Sequence, residues 1–182
     1  SGSALPLKEP VALNVHGIMG TVSSWIKTRY DQWTPEKQGK CFVVSERAGA
    51  CMTLHIDENS AYGGTVVGRC SLSRDLDILP INGARMPVMK LGDIIRMNRH
   101  IFDSADVAMK LVSDLRNLKA KVDTTIERCK DDRGNSAMVR RQAVESNIPQ
   151  SFTVNLRVMV GGPRLSVNVE VCVDPDSLDV QL

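Results

Sequence analysis

The chain has 182 residues, with 23 Lys/Arg against 21 Asp/Glu, a formal net charge of +2, and 4% aromatic residues. That length predicts one domain, or one domain with a lobe, and a core that needs no covalent staples. Near-balanced charge and few rings exclude a global basic field for nucleic acid and a surface designed to stack bases.

Ser1-Gly2-Ser3, with no initiator Met, reads as a remnant of tag removal. Residues 4–20 hold Pro6, Pro10, Gly17 and Gly20, so they read as an extended N-terminal arm. Its Leu13 and Val15 are candidate contacts with a second subunit, although such an arm also packs on its own domain. Residues 21–87 read as a helix followed by a small β lobe. In the helix, Val22, Trp25, Ile26, Tyr30 and Trp33 share a face, Thr21 is the expected N-cap, and Thr34-Pro35 ends it. Three strands follow, 41–45, 51–56 and 65–72, joined by short turns into an antiparallel meander. The turn-rich stretch 73–87, with Pro80, Asn82-Gly83 and Pro87, links this lobe to the second half.

Residues 88–182 read as an αα-hairpin and an antiparallel sheet. Leu91, Ile94, Ile95, Asn98 and Phe102 lie on one face of a first helix. Ser104 caps a second helix, with Asp106 in its first turn and Val107, Leu111, Leu115 and Leu118 at helical spacing. Alternation then predicts a strand over 119–130, a turn at 131–135 and a strand over 136–145. The clearest pattern is the last. Phe152, Val154, Leu156, Val158 and Val160 alternate with polar residues, Gly161-Gly162-Pro163-Arg164 breaks the run, and Leu165, Val167, Val169, Val171 and Val173 resume it. This is a β-hairpin with one apolar face. The expected architecture is α+β: antiparallel meanders of three and then four strands, with an N-terminal helix and a central αα-hairpin packed on one side. The tail 177–182 is expected either to pair as an edge strand or to pass to a neighbouring copy, which makes Val180 and Leu182 candidate oligomer contacts.

The chemistry-bearing residues form no catalytic or metal motif. Five cysteines, at 41, 51, 70, 129 and 172, include no C-x-x-C pair and read as reduced thiols. His55 and Asp57 at the end of a strand are two ligands at most. No P-loop, G-x-G-x-x-G, H-E-x-x-H or G-x-S-x-G is present. No catalytic residue and no cofactor are therefore expected, and with no apolar run of membrane-spanning length and no signal peptide, no membrane partner and a cytoplasmic location are expected.

Several weak signatures occur in a telling order. Asn82-Gly83 with Met86 precedes the helix 90–102, Leu115-Arg116-Asn117-Leu118-Lys119-Ala120-Lys121-Val122 ends the next, and Arg133-Gly134-Asn135 follows. Last come Ile148-Pro149, Phe152-Thr153 and Gly161-Gly162 before the valine strand. Upstream, Val22 to Tyr30 and the strand ending in Leu54-His55 correspond to a first helix and to a strand that ends in Tyr-His in the family named next. In this order residues 18–173 resemble the YfdQ-like proteins, a phage and prophage family of unknown function. The resemblance implies a phage or prophage origin, the cytoplasm of a bacterial host, and gene neighbours concerned with DNA metabolism or host defence. It carries no catalytic residues over, and Asp75 to Ile81 lacks the aromatic residues of the family pattern.

Two functions of different class follow. Between Lys119 and Arg164 nine Lys/Arg outnumber five Asp/Glu. If Arg140 or Arg141 lies beside Arg157 and Arg164 on one sheet face, the face could bind nucleic acid through phosphate contacts, as an accessory of phage replication, recombination or anti-defence. The favoured expectation is a non-enzymatic protein that self-associates into a homo-oligomer, because exposed strand edges and arms are commonly managed by pairing with a second copy.

Overall fold

The computed structural model describes residues 9–129 and 136–182. The stretch read as a tag remnant, the first residues of the expected arm and the turn expected at 131–135 lie outside them. The chain forms two compact units, one of residues up to Ser73 together with Met159–Pro163, the other of Arg74–Val158 and Arg164–Leu182. The boundary thus falls at 73/74, ahead of the one read at 87/88.

In the first unit, β1 (Leu13–Ile18) is followed by α1 (Thr21–Arg29), a short α2 (Pro35–Gln38), β2 (Phe42–Glu46), β3 (Cys51–Ile56) and β4 (Gly64–Arg69). Part of the expected arm, Leu13–Ile18, is therefore a strand. β1 pairs parallel to β4, and the sheet runs β1-β4-β3-β2 with the remaining pairs antiparallel. Alternation decides the faces. Leu54, Ile56 and Val66 turn to one side, where they are buried with Val22 of α1, and Val15, Trp25, Ile26, Trp33 and Cys41 pack around them. α1 starts at Thr21, with Gly20 as its N-cap at φ 93°, and not with Thr21 as the cap. Thr34 is itself a cap, accepting a hydrogen bond from the Lys37 N–H, so Pro35 opens a helical turn as well as closing the one before.

The second unit holds β5 (Met86–Pro87), α3 (Val88–Met97), α4 (Ala105–Arg128), α5 (Ser136–Asn147), β6 (Ser151–Arg157), β7 (Arg164–Glu170), β8 (Cys172–Val173) and β9 (Asp179–Gln181). Ser104 caps α4 as expected, its hydroxyl accepting from the Val107 N–H. The four-strand meander is corrected. Residues 119–128 continue α4, and 136–147 form a helix. In α4, Leu111, Leu115, Leu118 and Val122 are buried at spacings of three and four, and no Gly or Pro interrupts them. In α5 the neighbours Ala143 and Val144 are both buried, which a strand's alternation forbids. Only β6 and β7 remain as the hairpin, in continuous register from Ser151↔Glu170 to Arg157↔Arg164. Its apolar face is the one expected: Phe152, Val154, Leu156 and Val169 are buried, and Phe102 stacks on Phe152 at 5.6 Å. Val158 and Val160 fall in the connection. α3 and α4 pack together as the expected αα-hairpin, and their buried residues share one core with the hairpin. The whole is α+β.

The tail is neither an edge nor an exchanged arm. β9 is the central strand of a sheet ordered β5-β9-β8, with Val180 opposite both Met86 and Val173. Val180 is fully buried there, and the Leu182 carbonyl accepts from the Gly83 N–H at 3.0 Å.

Candidate assembly surface

Which backbone groups of the hairpin face outward follows from one hydrogen bond. The Val171 N–H donates to the Gln150 carbonyl at 2.9 Å. Antiparallel pairs alternate between those that exchange hydrogen bonds and those that do not. Counting back along the register, Phe152/Val169, Val154/Val167 and Leu156/Leu165 are the bonded pairs. Arg164, Ser166, Asn168 and Glu170 therefore aim their N–H and C=O groups away from β6. β6 follows the same rule on its own outer side, where the Arg157 N–H donates to Asp75 Oδ2 at 3.1 Å.

The two outer edges differ. β6 is covered by the helical turns Arg74–Asp77 and Arg99–Ile101, and Asn155 Nδ2 donates to Asp103 Oδ1 at 2.7 Å. β7 pairs with β6 alone. Among the described residues its four outward N–H groups have no backbone or side-chain acceptor. It contains no Lys, no Pro and no bulge, devices that blunt an edge, and its only charges are Arg164 and Glu170 at its two ends. Leu165 on its apolar face stays 48% exposed, although its partner Leu156 is fully buried.

On the polar face Arg157 and Arg164 stand directly opposite each other. A like-charged cross-strand pair is unfavourable, and neither residue has a carboxylate within ion-pair distance among the described residues. Glu170, at the far end of β7, likewise has no cationic partner among the described residues. Leu165, Val167 and Val169 were read from the sequence as one apolar face, but neither they nor Glu170 were named there as candidate contacts. The signal was present as opposite charges at the two ends of one alternating strand.

The expected basic sheet face does not form. Arg140 and Arg141 sit on helix α5, and not on a strand beside Arg157 and Arg164. Arg141 instead lines a cleft of about 290 Å³ with Val144, Glu145, Ile148 and Cys172. The candidate oligomer contacts fare unevenly. Val15 packs against the core of its own unit, and Leu13 is 41% exposed on edge strand β1, where its N–H donates to the Gly63 carbonyl. Val180 is fully buried in the core of the second unit, and Leu182 is half-buried against that core. In the first unit β2 is a second open edge, five exposed residues long, with Phe42 stacked on His55 at 4.6 Å. That stacking gives His55 a packing role beside its strand partner. Cys51 donates to Glu46 Oε2 at 3.5 Å, and burial together with this carboxylate raises its thiol above the ordinary value.

Among the described residues no group of three or more His, Cys, Asp or Glu is placed to hold a metal ion. No helix among them is long and apolar enough to cross a membrane. No family model, curated protein or solved structure matches the chain.

Proposed function

We propose that this chain is a non-catalytic protein that works as a homo-oligomer, in the phage or prophage setting its sequence resemblance suggests. One observation carries the reading: among the described residues β7 is a seven-residue strand whose whole outer edge is unpaired, with charges only at its two ends. Each solvent-facing edge of this kind is a template for another strand. Pairing it satisfies backbone donors and acceptors and covers Leu165, and the commonest partner in soluble assemblies is an identical copy.

The test is the solution mass of the untagged protein by light scattering or sedimentation across a wide concentration range. A discrete dimer or higher multimer is expected, dissociating on dilution. A monomer at every concentration would overturn the reading.

A further inference from the structure

We infer that two copies join through β7, antiparallel, about a twofold axis at Val167. This rests on the self-association reading and adds the surface, the register and the charges that select it.

The strand reads Arg-Leu-Ser-Val-Asn-Val-Glu from Arg164 to Glu170. Turned end over end about Val167, it is complementary to itself at each position. Arg164 meets Glu170 of the second copy, Leu165 meets Val169, Ser166 meets Asn168, and Val167 meets Val167. Opposite charges, polar pairs and apolar pairs thus coincide, with the apolar residues on one face and the polar residues on the other.

The hydrogen-bond phase agrees independently. Only Arg164, Ser166, Asn168 and Glu170 direct backbone groups outward, as the hairpin register and the Val171–Gln150 bond require. The twofold at Val167 pairs these residues only with one another, giving about eight inter-copy backbone hydrogen bonds. A register slipped by a single residue, with the axis between two residues, would break both the alternation of faces and the phase, whereas moving the axis by one whole residue, to Ser166 or Asn168, keeps both. A shift that keeps both would separate Arg164 from Glu170.

The charges inside one copy lean the same way. Arg164 faces Arg157 across the hairpin, a like pair that a neighbouring Glu170 would offset. Two β-hairpins become one four-stranded sheet whose apolar face runs on from each core through Leu165. The interface is isologous, so it closes at two copies through this edge.

The experiment is a charge swap read by sedimentation. Arg164→Glu and Glu170→Arg each place like charges at both ends of the interface, and each should weaken the dimer by roughly tenfold or more. Mixed together, the two variants restore opposite charges at both ends and should form a heterodimer. The double variant R164E/E170R should self-associate like the original. Val44→Lys, on the β2 edge, should leave the mass unchanged. As a second readout, Val167→Cys should cross-link between copies, because an unbonded antiparallel pair brings the two Cα atoms within disulfide range. Dimers unaffected by either single swap, or failure of the mixture to recover, would refute this interface while leaving self-association itself standing. A monomeric parent protein would instead refute the reading beneath it.

Discussion

Gly92 stands in the middle of α3, where a glycine destabilises a helix by roughly 1 kcal/mol relative to alanine. The surroundings decide whether a methyl group is welcome. A Cβ built there would lie 3.8 Å from Arg116 Cγ, 3.9 Å from Leu115 Cβ and 4.0 Å from the Val112 carbonyl, all ordinary contact distances. Gly92 is buried between α3 and α4. Filling this space removes a methyl-sized area from water, worth up to about 0.8 kcal/mol. Gly92→Ala should therefore stabilise the protein by about 1 to 1.5 kcal/mol. In thermal unfolding that is a rise of about 4–8 °C per kcal/mol if the second unit melts by itself, and about 2–4 °C if all residues melt together. The same change has the opposite sign at Gly63. There a Cβ would press on the Asp57 carbonyl and lie 2.7 Å from the Ile56 carbonyl, backbone atoms that cannot step aside. Urea or thermal melts of the two alanine variants should diverge in opposite directions. A lower midpoint for Gly92→Ala would refute the packing of α3 on α4 described here.

Leu115 is fully buried in the second core, and Leu115→Ala should cost about 2 to 5 kcal/mol by denaturant titration. Met109→Ala, on the 41% exposed side of the same helix, should stay within about 0.5 kcal/mol, and equal effects would contradict the helical face. Asp174 accepts from the backbone N–H groups of Asp176 and Ser177, and these bonds, with help from Arg85, hold its carboxyl below the usual carboxylate range. A folded value below the unfolded one means its contribution is complete above the unfolded value and fades as pH falls through the folded one. The difference in melting temperature between the parent protein and Asp174→Ala should be constant near neutrality and shrink below about pH 4. A difference that is independent of pH would remove the carboxylate from the account.

Local signals with a single interpretation were legible in the sequence. The Gly-Gly break in the valine run marks the hairpin, Ser104 marks the start of α4, and the three strands before residue 73 follow from alternation bounded by turns. The misread stretch had two interpretations at once. Leu118, Val122 and Ile126 are four residues apart, which suits a helix, and are also all even-numbered, which suits a strand. What decided between them was the uninterrupted continuation of α4, where Val122 is buried and Ile126 packs against the same core. The basic face was lost with that error, because Arg140 and Arg141 moved from a strand to a helix. Val180 was read as an oligomer contact instead of a core residue for a different reason. Three residues between a turn and the end of the sequence show no period, and the central place of β9 depends on Met86, far away along the chain. The self-complementary order of Arg164 to Glu170 was readable throughout, but it acquires meaning only once β7 is known to have a free edge.

The segment Met159–Pro163 belongs to the first unit although about ninety residues separate it from Ser73. There the Val160 N–H donates to the Ser71 carbonyl at 2.9 Å, Leu72 bridges Met159, and Gly161, at φ 76°, passes close to Ile18. A ribosome adding roughly 5–20 residues per second would therefore hold the first unit incomplete for roughly 5 to 20 seconds after its sheet strands have emerged. During that interval Ser71 and Leu72 have no strand-like partner, and the exposed β2 edge is available to any neighbouring nascent chain. A premature stop or a proteolytic cut between residues 74 and 158 makes the interval permanent. Truncations designed to isolate the sheet would then report on an unfinished state of it, and a covalent splice of 159–163 would be needed to complete it.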